Sequence, residues 1–176
     1  VYKRQRLYHA LVEGRPEQTE GTDSSWLIED KHLHVKRVKS TFKGAKQSIT
    51  HWRIEDQDEF VSLIEVIIET GRRHQIRMAM QSIGCPIVGD TIHGAKTNPL
   101  NRVCLHATTL GFVHPTKNKW LDFEAPLPTE FKKMLNLLNK LGVDVRVNVE
   151  IVNGLLLGTV KAELFQTISN FPGVLM

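Results

Sequence analysis

One change of period constrains this chain more than any other feature. From Phe60 to Glu69 the sequence FVSLIEVIIE is almost unbroken in apolar residues, the pattern of a central strand covered on both faces. After Thr70-Gly71 the spacing changes. Ile76, Met80 and Ile83 then stand at i, i+4 and i+7, one apolar face of a helix over 72–82. Gly84 offers a residue to close that helix, and Pro86 prevents its continuation.

Around this junction the sequence reads as strands, a helix, more strands and a second helix. Leu7 to Glu13, Leu33 to Val38 and Gln47 to Ile54 have strand character, and residues 17–25 read as a polar loop. Val103 to Phe112 and Lys119 to Phe123 read as further strands. Phe131, Met134, Leu135, Leu138 and Leu141 mark an amphipathic helix that stops at Gly142. Beyond it Val143, Val145, Val147, Val149 and Ile151 alternate with polar residues, and Asn153-Gly154 fits a hairpin turn.

Composition narrows the class of protein. A hydrophobic share of 41% and a charged share of 24% suit a globular domain. No apolar run approaches the roughly 20 residues that span a bilayer, so no membrane partner is expected. Cys85 and Cys104 form no CxxC pair; a reducing, cytoplasmic setting is expected. The net charge of +4 is modest, but its distribution is not. Between Lys31 and Arg53 lie seven cations, Arg37, Lys43 and Lys46 among them, and no acid. Such a stretch serves equally as a solvated face or as a surface that neutralises RNA phosphates.

The segment with most chemistry is Thr70-Gly71-Arg72-Arg73-His74-Gln75-Ile76-Arg77. A strand entering a helix here presents free backbone N–H groups and two arginines, a setting that favours an anion such as phosphate. Arg77 follows Arg73 by four residues, which on a helix places both on one side. It also lies at the border of the buried face, where a guanidinium requires a carboxylate partner. That partner serves either a structural salt bridge or a site.

TGRRHQIR, followed by Gly84-Cys-Pro-Ile-Val-Gly-Asp90, Leu105-His106-Ala107 and Phe112-Val-His-Pro115, resembles the ordered motif set of RluA-type RNA pseudouridine synthases. Arg6 to Gly14 resembles that family's K-x-Y-x-A-L-V-x-G segment, with arginine for lysine. Lys46 to Trp52 and Phe123 to Pro126 match further segments, so the likeness covers roughly 6–135. The resemblance implies an α+β domain on a mostly antiparallel mixed sheet with flanking helices, of which this chain would be the C-terminal part. It implies isomerisation of uridine to pseudouridine in ribosomal or transfer RNA, without cofactor or metal. Arg77 would pair with the catalytic aspartate, Tyr8 would pack against the target base, and Leu105 would wall the pocket. Arg72, Arg73, His74, Gln75, Lys46, Lys43 and Arg37 would meet the RNA, which must flip a base out of its stack.

One departure is large. The family's nucleophile lies in an H-R-L-D segment before the tyrosine motif, and this chain holds none. Asp90 and Asp30 do not match its position. Val1 is not methionine, and VYKRQ corresponds to one reading of a common sequencing adapter. Residues 1–5 are therefore expected to be non-native and the domain to be truncated, inactive alone and monomeric. Smaller departures are Ala79, where the family often has histidine, and His93, where it has tyrosine. Residues 6–142 form the expected domain part, and 143–176 a tail of unassigned role. Two rivals stay open. One is a non-catalytic RNA-binding module of the same fold. The other is a metal-dependent hydrolase suggested by eight histidines, although no HExxH-like spacing is present.

Overall fold

The computed structural model describes residues 4–140. Seven strands form one sheet: β1 (Arg4–Glu13), β2 (Glu20–Glu29), β3 (Val35–Val38), β4 (Lys46–Gln57), β5 (Val61–Ile68), β6 (Leu105–Val113) and β7 (Trp120–Glu124). Two helices, α1 (Gln75–Ser82) and α2 (Thr129–Lys140), join them, with a short 3-10 turn at Thr91–His93. The strand order is β3-β2-β4-β5-β1-β6-β7, and every pairing among the described strands is antiparallel. The domain is therefore mostly antiparallel with flanking helices. The hairpin expected within 143–176 lies outside the described residues.

The apolar run at 60–69 becomes β5, fourth of seven strands, with Val61, Ile64 and Val66 fully buried. Removing each such side chain from water stabilises the fold by about 1.5–3 kcal/mol. Ile76, Ala79 and Met80 of α1 join the same core cluster as Ala10, Ile64 and Val66. The helix closes where the sequence indicates, at Gly84 with φ +77°.

Two local expectations are corrected. Residues 20–25, read as loop, belong to β2. They are polar because only β4 pairs with them, and their ladder partners run from Arg53 at Glu20 to Ser48 at Ser25. Backbone pairing here supplies what side-chain alternation does not. The helix starts at Gln75 rather than Arg72, because His74 adopts a left-handed conformation, φ 55°.

Candidate active site

Register places Tyr8 and Leu105 together. Tyr8 pairs with Val66 on one side and Ala107 on the other, and Ala10, two residues on, pairs with Leu105. These side chains share one face, because paired residues point the same way and alternate residues repeat. An extra residue of β6, Thr108, bulges opposite the Leu7/Tyr8 step. It is held there by His9, whose Nδ1 lies 2.6 Å from the Thr108 hydroxyl. Tyr8 is half-buried and Ala107 exposed, so this end of the face is open to solvent while Ala10 closes its floor.

The loop from β5 into α1 is braced on the same face. Gln75 is 3% exposed and uses its whole amide. Its Nε2 donates to the Ile49 carbonyl (2.8 Å) and the Thr50 hydroxyl (3.0 Å). Its Oε1 accepts from the Thr70 hydroxyl (2.7 Å) and the Arg72 amide (3.0 Å). Gln75 therefore shapes the loop from inside and has no group turned to RNA. It also takes up one of the backbone N–H groups that the sequence leaves free for an anion.

Arg77 meets a carboxylate of this chain. Its Nε donates to Asp90 Oδ2 (2.7 Å) and its Nη2 to Asp90 Oδ1 (2.5 Å). The Asp90 side chain is fully buried and that of Arg77 is 17% exposed. His93 adds a third contact, Nδ1 to Asp90 Oδ1 at 2.9 Å. Burial alone would raise the Asp90 pKa, but the bonds from Arg77 and His93 outweigh it and hold the carboxyl below its ordinary value. His74 stands edge-on to His93, ring centroids 5.1 Å apart. Burial, then the nearby Arg77 and His93 charges, lower its pKa, so it stays neutral more readily than a free imidazole.

The left-handed His74 separates the arginines that a continuous helix would have aligned. Arg73 turns to Glu29 (3.6 Å) and Arg77 to Asp90, so they do not share a side. Arg72 donates from Nε to the Gln47 carbonyl (2.9 Å). With Lys46, Glu29 and Gly71, these two arginines line a cleft of about 240 Å³. Arg37 is tied to Asp23 (2.8 Å) and the Met78 carbonyl (3.4 Å), and Lys43 is exposed in the β3–β4 loop. The structure thus gathers Lys46, Arg72 and Arg73 and sets Arg37 apart in an ion pair of its own. A second cleft, about 290 Å³, lies among Thr22, His51, Arg53 and Glu65 on the opposite face of the sheet and contains none of the candidate residues.

The motifs contain Asp90, His93 and Arg6 but do not reveal their partners. Asp90 reaches Arg77, and His93 reaches Asp90, because the 84–95 segment folds back. The sequence signal was their Gly-Asp-x-x-x-Gly setting. Arg6 lies against the loop so closely that a Cβ on Gly71 would stand 2.5 Å from its Nη1, and its Nε is buried with no hydrogen-bond partner. Among the described residues no three His, Cys, Asp or Glu converge as metal ligands, and no helix is long and apolar enough to cross a membrane. Both cysteines are buried and unpaired, and burial pushes the Cys104 thiol up to about 11.

Residues 2–82 match the family model described as RNA pseudouridylate synthase, a span that takes in Tyr8 and Arg77. The chain is 38% identical over 135 residues to an uncharacterized RNA pseudouridine synthase of Chloroflexus aurantiacus, covering 76% of this chain and 42% of that one. It is 32% identical over 142 residues to the ribosomal large subunit pseudouridine synthase D of Zymomonas mobilis, covering 76% and 44%. The fold is similar to that of human RNA pseudouridylate synthase domain containing 1, with a TM-score of 0.58 and 24% identity over 70% of this chain and 54% of that one. The chain spans less than half the length of these curated relatives.

Proposed function

Since this chain belongs to the RNA pseudouridylate synthase family, we propose that it forms the RNA-facing C-terminal part of an enzyme that isomerises uridine to pseudouridine in RNA. The observation that carries this reading is the shared face of Tyr8 and Leu105. It lies on the side of the sheet against which α1 sets Gln75, and the basic cleft flanks the same loop. In such a reaction the bond from C1′ to N1 breaks, the uracil turns, and C1′ bonds to C5. The C5 hydrogen is lost to solvent and N1 gains one, so no atom is added and no electron is exchanged.

On this reading the nucleophilic aspartate comes from a segment outside this chain and pairs with Arg77. Tyr8 supports the flipped base, Leu105 walls it, and Lys46, Arg72 and Arg73 hold phosphates. Lys43 and Arg37 extend the basic surface, and His74 borders it. A ribosomal target is favoured over transfer RNA by the name of the Zymomonas mobilis relative. We place the enzyme in the cytoplasm, acting as a monomer. The non-catalytic RNA-binding reading has one observation in its favour: Arg77 already finds a carboxylate, Asp90, inside this chain.

Tritium release from RNA labelled at uridine C5 tests the proposal. This chain, joined to a segment carrying the family's H-R-L-D motif, should release tritium, and Arg77→Lys should abolish most of it. RNA binding without release by the joined protein would establish the non-catalytic reading instead.

A further inference from the structure

Resting on that reading, we infer that Asp90 and His93 are positioning residues: they grip one edge of the Arg77 guanidinium so that its other edge is presented to the nucleophilic carboxylate. A guanidinium is a flat fork with two edges, each able to receive a carboxylate through two parallel hydrogen bonds. Asp90 fills the Nε/Nη2 edge with both its oxygens. The Nη1 end has no hydrogen-bonded partner among the described residues, and the 17% exposure of the side chain leaves it reachable. A second carboxylate arriving there would find the cation already aligned.

The grip is itself anchored. The Asp90 amide donates to the Ile87 carbonyl (2.9 Å), and its own carbonyl accepts from the His93 and Ala95 amides (3.0 Å each). Val88 donates to the Leu11 carbonyl and accepts from Cys104, 2.9 Å in both cases. Leu11 sits three residues beyond Tyr8 on β1, so the position of Arg77 is referenced to the strand that carries the base-packing residue. His93, 5% exposed, takes the remaining freedom from the carboxylate by donating to Oδ1. Asp90 offsets part of the positive charge of Arg77. What it supplies in return is orientation, and a displacement of about 1 Å in a reacting group costs on the order of a hundredfold in rate.

The test uses the joined protein and steady-state tritium release with Asp90→Asn, His93→Phe, His93→Asn and Arg77→Lys. Asparagine at 90 keeps the shape and removes one acceptor. Asparagine at 93 keeps an N–H near the place of Nδ1, and phenylalanine keeps only the ring. We expect Asp90→Asn and His93→Phe to lower kcat by about ten- to a hundredfold with KM for RNA within about twofold, and His93→Asn to recover most of the loss. A solely structural role would lower the active fraction in step with thermal stability and give no recovery specific to the N–H donor. Wild-type kcat in Asp90→Asn alongside an impaired Arg77→Lys overturns the proposal and leaves the reading of the site standing. Wild-type kcat in both removes the reading and the proposal together. A second measurement needs no activity. In this chain alone the Arg77 Nε–H should exchange slowly by NMR and become fast in Asp90→Asn; fast exchange in the unaltered chain overturns the grip.

Discussion

Gln75 Nε2 donates to Thr50 Oγ1 at 3.0 Å, and both residues are buried, so one side chain of α1 fastens the helix to the middle of β4. The same amide holds Ile49, Thr70 and Arg72. Gln75→Leu conserves volume but orphans buried donors and acceptors, each costing about 1–3 kcal/mol. We expect a loss on the order of 3 kcal/mol in urea unfolding. A change within 0.5 kcal/mol, about that of an ordinary surface substitution, would refute the bracing role.

Arg77→Ala should destabilise the fold by about 3–5 kcal/mol, because it leaves the buried Asp90 carboxylate without its guanidinium and held by the His93 ring alone. The pH dependence has a definite sign. The folded-state pKa of Asp90 lies below its unfolded value, so its contribution is present above the ordinary carboxylate range and is lost as pH falls through the folded value. Thermal melts from pH 7 downward should therefore converge for the unaltered chain and Asp90→Asn at the acid end. Parallel curves across that range would remove Asp90 from the balance.

Gly71 leaves room for Arg6, whose Nη1 would meet an added Cβ at 2.5 Å. That atom is the far end of a flexible chain, so Gly71→Ala should cost less than about 1 kcal/mol in stability. It should nevertheless displace the guanidinium and weaken RNA binding severalfold. Combined with Arg6→Ala, the second substitution should then add little, as residues in contact do not act additively. Filter binding at fixed salt decides it: additive losses would show that the two do not communicate.

The Lys46, Arg72 and Arg73 cleft should give RNA binding a steep salt dependence. Each replacement by alanine should flatten the slope of log affinity against log salt by about 1. Arg37→Ala should change it less, because the largely buried Asp23 holds that guanidinium at 2.8 Å, whereas Glu29 stands 3.6 Å from Arg73 and is solvated. Equal slopes for all four variants would deny the cleft its role.

Cys104 should resist alkylation in the folded chain up to about pH 9, since burial holds its thiol at about 11, and Cys85 is likewise raised by burial. Both should react after unfolding in guanidinium. Rapid labelling of either in the native chain would show that the core opens.

Local pattern alone determined much of this protein. The apolar run of β5, the 3.6-residue spacing of α1 and the stop at Gly84 follow from side-chain burial and backbone sterics, which act over a few residues. The basic stretch and the strand–helix junction were legible for the same reason. Tertiary structure decided the partners. Arg77 meets Asp90 thirteen positions away because the 84–95 segment folds back, and Arg6 reaches Gly71 because β1 begins beside that loop, where β5 ends. Gln75 became an internal brace and Arg73 parted from Arg77 because one residue, His74, turned left-handed. Which charge meets which is a property of three-dimensional proximity and desolvation. Neither has a period that can be read along a chain.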